Sequence, residues 1–211
     1  MLFSGMGLYA DRIFPACYDW LMGMGKLDRR RSGALKPVRG EILEIGIGTG
    51  RNLDHYPTPV DQLTGIDPNP GMLRQLAGRS RDHRIKVDCH RASADALPFA
   101  DSSFDTVVST HTLCSLPDRA GALAEIRRVL RPDGRLVFLE HGLSPDDAVA
   151  QWQRRLNGIQ RRFAVGCLLD VPVEEEIQQA GFDFEHLHKG YQEGESRTHG
   201  YLYEGVACPA S

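Results

Sequence analysis

An α/β fold, a mostly parallel sheet with helices on both faces, is predicted by three features of the sequence. From Glu41 onward short β-rich runs alternate with helical stretches, the first run opens into a glycine-rich turn, and the second ends on an aspartate. Such alternation marks βαβ units, in which a crossover helix returns the chain to a parallel neighbouring strand.

Ahead of that pattern, residues 6–36 look helical, with Leu8, Ile13, Phe14, Tyr18 and Leu21 giving an imperfect apolar stripe. The strands expected next are Glu41–Ile45, Gln62–Asp67, Lys86–Arg91, Phe104–Thr110, Arg135–Glu140, Asp183–His188 and Tyr201–Ala207. Helices are expected over Asn52–Tyr56, Gly71–Gly78, Arg119–Leu130, Asp146–Phe163 and Val173–Ala180. The last two strands are joined by a polar loop, Lys189–Thr198, with no helical pattern. Strands joined without a crossover helix are usually antiparallel, so the parallel sheet should end in an antiparallel pair. In such sheets ligands bind outside the carboxyl ends of the strands, near the switch in strand order.

The 211 residues fit one domain. With 41% hydrophobic residues, 25% charged residues and a net charge of −3, the chain does not look like a nucleic-acid binder. The five cysteines, Cys17, Cys89, Cys114, Cys167 and Cys208, are scattered and form no C-x-x-C pair. That reads as reduced thiols in a cytoplasmic protein, and no metal site is expected from their spacing. Asp11, Arg12 and Asp19 interrupt the apolar N-terminal segment, so neither a membrane span nor a signal peptide is expected there.

The first strand runs into Glu44-Ile45-Gly46-Ile47-Gly48-Thr49-Gly50. Glycines at alternate positions let the backbone turn sharply and let a ligand approach without a Cβ in the way. The dinucleotide pattern G-x-G-x-x-G/A fails in both registers, because Arg51 and Leu53 stand where its last small residue belongs. Asp67, at the end of the second strand, can accept hydrogen bonds from both hydroxyls of a ribose. Loop and carboxylate together point to a nucleoside site.

These residues carry a family resemblance. E-I-G-x-G-T-G followed by I-D-P-N-P resembles the cofactor loop and second-strand end of class I S-adenosylmethionine-dependent methyltransferases. The match continues through Ala94–Phe99, Ser103–Val108 and Glu125–Gly134. Within that superfamily the chain is most similar to methyltransferase-like thiol methyltransferases and bacterial phosphatidylethanolamine N-methyltransferases. Ser109–Ser115, Phe138–Gly142, Trp152, Gly166 and Cys167 carry that likeness. The eukaryotic thiol enzymes begin with a hydrophobic anchor, and residues 1–26 are not expected to form one, since Asp11, Arg12 and Asp19 interrupt them.

The resemblance implies a Rossmann-like, seven-stranded, mostly parallel sheet with an antiparallel last strand, preceded by a helical lid over residues 1–40. It implies S-adenosylmethionine as cofactor, with S-adenosylhomocysteine as product. Glu44 would meet the cofactor's ammonium, with Gly46, Gly48, Thr49, Gly50 and Asn52 around the methionine part. Asp67 would hold the ribose, with Pro68 and Asn69 beside it. Asp95 would accept from the adenine amino group and the Ala96 amide would donate to the ring, next to Ala94. Thr110 and His111 would face methionine and acceptor, and Tyr18 and Asp19 would belong to the lid.

A sulfonium is already an activated methyl donor, so the protein has mainly to align the acceptor and exclude water. A base is needed only for an acceptor that arrives protonated, and His111 and His141, just past strand ends, are the candidate catalytic residues. His141 follows Glu140, and the two could share a proton-handling site if the backbone turns between them. Cys114 is expected to pack in apolar surroundings. Along Gln151–Phe163, Trp152, Leu156, Ile159 and Phe163 form one stripe flanked by Arg154, Arg155, Arg161 and Arg162. Such a helix either packs on the sheet with a solvated basic face or lies against a membrane surface or phosphate. The expected acceptor is a small apolar or amphipathic molecule, a thiol or a phospholipid amine. A quinone or secondary-metabolite methyltransferase and a cofactor-binding protein without turnover remain as alternatives, and the oligomeric state stays open.

Overall fold

A computed structural model describes residues 9–16, 19 and 26–210. Among them the first long helix is α1, Lys26–Ala34, followed by strand β1, Ile42–Ile45. Then come β2 (Gln62–Ile66), α2 (Pro70–Ser80), β3 (Lys86–His90), β4 (Phe104–Thr110) and α3 (Arg119–Val129). The chain continues through β5 (Leu130–His141), α4 (Asp147–Phe163), α5 (Val173–Gln179), β6 (Phe182–Tyr191) and β7 (Tyr201–Pro209). The sheet order is β3-β2-β1-β4-β5-β7-β6. All pairs from β3 to β5 are parallel, and β7 runs antiparallel between β5 and β6. The seven expected strands and the reversed last strand are all present.

Strand alternation divides the core. Leu43, Ile45, Val107, Leu136 and Phe138 face one side, where Leu123, Ile126 and Ile177 cover them from α3 and α5. Ile42, Val108 and Val137 face the other, against Leu35 and Leu76. The central strands β1 and β4 bury both faces, as a parallel sheet sandwiched by helices requires, while the edge strands β3 and β6 stay largely exposed. Strand order reverses between β1 and β4, so the crevice lies above their carboxyl ends.

Two elements differ from expectation, and for a third the structure decides between the two readings the sequence left open. The helix expected over Asn52–Tyr56 is a single 3-10 turn, Leu53–His55. Strand β5 starts at Leu130 rather than Arg135, because Leu130 pairs with Phe104 before a register shift. Helix α4 does not lay its apolar stripe on the sheet: Trp152, Ile159 and Phe163 are 55%, 63% and 61% exposed. Its inner face is a row of amides instead. Gln153 accepts from the Ser144 amide (3.0 Å) and donates to the carbonyls of Gly142 (3.0 Å) and Thr198 (3.1 Å), and Asn157 accepts from the Leu169 amide (2.8 Å). Buried polar groups need partners, and these amides dock the helix by supplying them.

Candidate active site

Beyond β1 the backbone turns through Gly46, Gly48 and Gly50 with φ of 61°, 56° and 80°. A Cβ at Gly46 would stand 2.4 Å from Thr112 Oγ1, and one at Gly50 would stand 2.6 Å from Leu76 Cδ1. At Gly48 a Cβ would meet nothing nearer than 3.8 Å. Two of the glycines therefore serve packing, and the middle one leaves the loop uncovered for a ligand to approach.

Asp67 lies one residue past β2 and is 8% exposed. It accepts from the amides of Gly48 (3.1 Å, Oδ2) and Asn69 (2.7 Å, Oδ1). Burial pushes its carboxyl up to about 6, against the pull of those two amides. Each carboxylate oxygen keeps a lone pair, so a vicinal diol can still be accepted. Asn69 caps α2 by accepting from the Gly71 and Met72 amides, and the exposed Pro68 offers its carbonyl to Arg91.

On the same side of the crevice Glu44 is buried in a polar cluster. Asn52 Nδ2 lies 2.9 Å from both Glu44 Oε1 and Thr110 Oγ1, and the Tyr56 hydroxyl donates to Glu44 Oε2 at 2.7 Å. Arg31 from α1 closes the group by donating to Asn52 Oδ1 (2.6 Å) and Thr110 Oγ1 (3.1 Å). Burial pushes the Glu44 carboxyl up to about 7, opposed by the Tyr56 hydrogen bond and the Arg31 charge. Sequence reasoning missed Arg31, which is 2% exposed, because it sits in a run of three arginines that reads as a solvated face.

The remaining expected contacts divide. Ala94 is buried and Asp95 exposed in the turn after β3, but the Ala96 amide donates to Ser93 O at 3.2 Å. The amide expected to meet the adenine ring is therefore taken by its own turn. Thr49 is buried, and its hydroxyl donates to Asp19 at 2.6 Å. Arg51 (2.9 Å) and Arg79 (3.0 Å) pair with the same carboxylate. Burial opposes ionisation of Asp19, but the Thr49 hydrogen bond and the two arginines outweigh it and lower its pKa. Asp19 thus fastens the N-terminal segment to the glycine loop, while Tyr18 lies outside the described residues. Further along that segment, the Asp11 carbonyl accepts from Arg74 (2.7 Å) and the Tyr9 hydroxyl donates to Phe163 O (2.8 Å). It bridges α2 and α4.

On the acceptor side, His111 follows β4 with φ 51°, and its ring stacks on His141 at 6.1 Å between centroids. His111 Nε2 and His141 Nδ1 are shut off from solvent and have no partner among the described residues. Burial, then the Arg31 charge and His141, hold His111 well below the ordinary imidazole range, so it is neutral. Glu140 does not share a proton site with His141. Neighbouring side chains on a strand point to opposite faces, and Glu140 is held by Ser109 Oγ (2.7 Å) and the Thr112 amide (3.0 and 2.9 Å). His141 Nε2 instead lies 3.3 Å from Cys167 Sγ, which is 3.5 Å from Cys114 Sγ. Cys114 packs in the core as expected, yet the fold also makes it part of this group.

Comparison with known proteins agrees with this geometry. The family described as a methyltransferase domain matches residues 43–138. The thiol S-methyltransferase TMT1B of Rattus norvegicus is 36% identical over 154 residues, covering 70% of this chain and 63% of the rat protein. The chain thus spans less than two thirds of that relative. A phosphatidylethanolamine N-methyltransferase of Cereibacter sphaeroides is 32% identical over 175 residues, covering 78% of this chain and 85% of the relative. Among solved structures, a SAM-dependent methyltransferase from Thermotoga maritima, described as a possible histamine N-methyltransferase, superposes with a TM-score of 0.70. It is 18% identical and the match covers 98% of this chain and 100% of that one. A glycine turn after β1 and a buried carboxylate after β2, in a chain with these relatives, have one reading: the chain belongs to the S-adenosylmethionine-dependent methyltransferases.

Proposed function

We propose that the chain methylates a small amphipathic acceptor, a thiol or a phospholipid amine, that it meets at an anionic membrane surface. When bound, the cofactor's sulfonium supplies an electrophilic methyl group. Asp67 holds the ribose diol, Glu44 pairs with the ammonium, and Arg31 stands beside it for the carboxylate. Neutral His111 offers Nε2 as a hydrogen-bond acceptor to the incoming nucleophile. Residues 9–16, held on α2 and α4, and the Asp19 latch on the glycine loop help to exclude water from the crevice.

The observation that carries the acceptor class is the orientation of α4. Its inner residue Gln160 reaches Cys167 at 3.6 Å, on the acceptor side, while Trp152, Ile159 and Phe163 stand exposed on the outside. Arg154, Arg155, Arg161 and Arg162 are exposed beside them, and the Arg155 guanidinium sits 5.3 Å from the Trp152 ring centre. An apolar stripe edged by arginines suits an anionic bilayer surface, where each cation contributes about 1 kcal/mol. A helix that covers the acceptor site and grips lipid on its outer face would collect acceptors that partition into membranes. No helix among the described residues is long and apolar enough to cross one.

The test has two parts. Flotation should show binding to phosphatidylglycerol vesicles, loss of binding to neutral ones, and loss again in a Trp152→Ala/Phe163→Ala variant. Release of S-adenosylhomocysteine should occur with alkyl thiols or vesicle-borne phosphatidylethanolamine. Turnover of quinone precursors alone would overturn the acceptor class. Cofactor binding with no turnover on any panel would reassign the chain as a binding protein.

A further inference from the structure

We propose that Cys114, His141 and Cys167 form a binding site for a thiophilic divalent cation of the zinc type, with its fourth position open to the sulfur of an acceptor thiol. The second half of that statement rests on the thiol reading of the acceptor above; the first does not.

Three donors converge here from three separate elements: the turn after β4, the last residue of β5, and the loop after α4. Their ligand atoms all lie within 4.8 Å of one another. Tetrahedral zinc, with bonds of about 2.3 Å to sulfur and 2.0–2.1 Å to nitrogen, places two sulfurs about 3.8 Å apart and sulfur about 3.6 Å from nitrogen. The observed edges are 3.5 Å between the sulfurs and 3.3 Å from Cys167 Sγ to His141 Nε2. Along those two edges a cation would need the donors to part by only a few tenths of an ångström. A disulfide would need the sulfurs to close from 3.5 Å to about 2.05 Å.

The two loops are tied to each other by the bond from the Leu168 amide to Cys114 O, 2.9 Å, so the sulfurs are held together by backbone. Cys114 and Cys167 are 2% and 8% exposed, which excludes competing water. Beside the group, His111 Nε2 is buried with no hydrogen-bond partner among the described residues, in reach of a polar ligand held there. Two cysteines and one histidine with a vacant fourth position form a donor set of the catalytic rather than the structural kind. On binding, both cysteine thiols release their protons to solvent. An acceptor R–SH would likewise lose its proton to water as its sulfur takes the fourth position, arriving as a thiolate without a protein base.

The site can be tested on the reduced full chain with zinc and cobalt ions. One equivalent of zinc per chain should resist competition by a chromophoric chelator. Cobalt should give thiolate-to-metal charge-transfer bands. Cys114→Ser and Cys167→Ser should each weaken binding at least about 100-fold, while Cys89→Ser, at an exposed position, should not. Circular dichroism separates lost binding from lost fold. If a serine variant misfolds, His141→Gln gives the same test. Less than a tenth of an equivalent bound, binding unchanged in the variants, or a Cys114–Cys167 disulfide as the resting form would overturn the metal site. Adding an alkyl thiol should shift the cobalt spectrum, and phosphatidylethanolamine should not. A bound metal with a spectrum indifferent to thiols would leave the site standing and remove the acceptor's sulfur from it.

Discussion

If Glu44 and Asp67 hold the cofactor as proposed, its affinity should climb steeply with pH, because both carboxylates are buried and reluctant to ionise. Burial sets Glu44 at about 7 and Asp67 at about 6 in the ligand-free protein. At pH 8 both are ionised in about nine molecules of ten, and at pH 6 in about one of twenty. If only the doubly ionised site binds, S-adenosylhomocysteine affinity falls about 20-fold between pH 8 and pH 6, on the order of 2 kcal/mol. Titration calorimetry in two buffers of different ionisation enthalpy reads both the affinity and the protons released. Glu44→Gln should bind more weakly at pH 8 and show only about a twofold change over the same range, the part due to Asp67. The same substitution should stabilise the ligand-free protein. A carboxyl raised from 4.5 to about 7 favours the fold below 4.5 and loses that contribution as pH rises through about 7. The melting temperature of Glu44→Gln should therefore exceed that of the parent at pH 8, with at most about 3 kcal/mol at stake. Equal affinity at pH 6 and pH 8 would refute the pairing of these carboxylates with the ligand.

Gly46→Ala places a Cβ 2.4 Å from Thr112 Oγ1 at a φ of 61° and should destabilise the protein by about 2 kcal/mol or more by thermal denaturation. Gly48→Ala carries only the left-handed strain of about 1–2 kcal/mol; it should stay folded yet lose at least about tenfold in cofactor affinity by calorimetry. Arg31→Ala removes a donor to Asn52 and Thr110 and the cation facing Glu44, so affinity should fall about 10- to 100-fold, with partial recovery in Arg31→Lys. His111→Ala should lower kcat well beyond any change in cofactor affinity, and steady-state kinetics with the true acceptor would show it.

What the sequence made legible is what local chemistry decides. The glycines of the turn after the first strand and Asp67 at a strand end each carry their reason within a few residues. The cluster of Cys114, His141 and Cys167 has no such local signal, since its members lie on three elements and meet only when β5 and α4 are in place. Arg31 was hidden for the opposite reason: its neighbours made it look like one more surface charge, and only tertiary packing singles it out. In α4 the periodicity showed that one face is apolar but could not say what covers it. The amides Gln153, Asn157 and Gln160 decided that, and polar residues on a helix read as solvent-facing until their partners are known.

The placement of β7 has a bearing on how the molecule is made. Among the described residues β6 has no sheet neighbour other than β7, and His141 pairs with Leu202 across the β5–β7 boundary. Translation therefore produces β1 to β5 first, while β6 stays unpaired until residues 201–209 arrive and slot between two strands already waiting. A nascent chain paused short of Tyr201 would carry a formed glycine loop in an unfinished sheet, with the flank of β5 open to any passing strand.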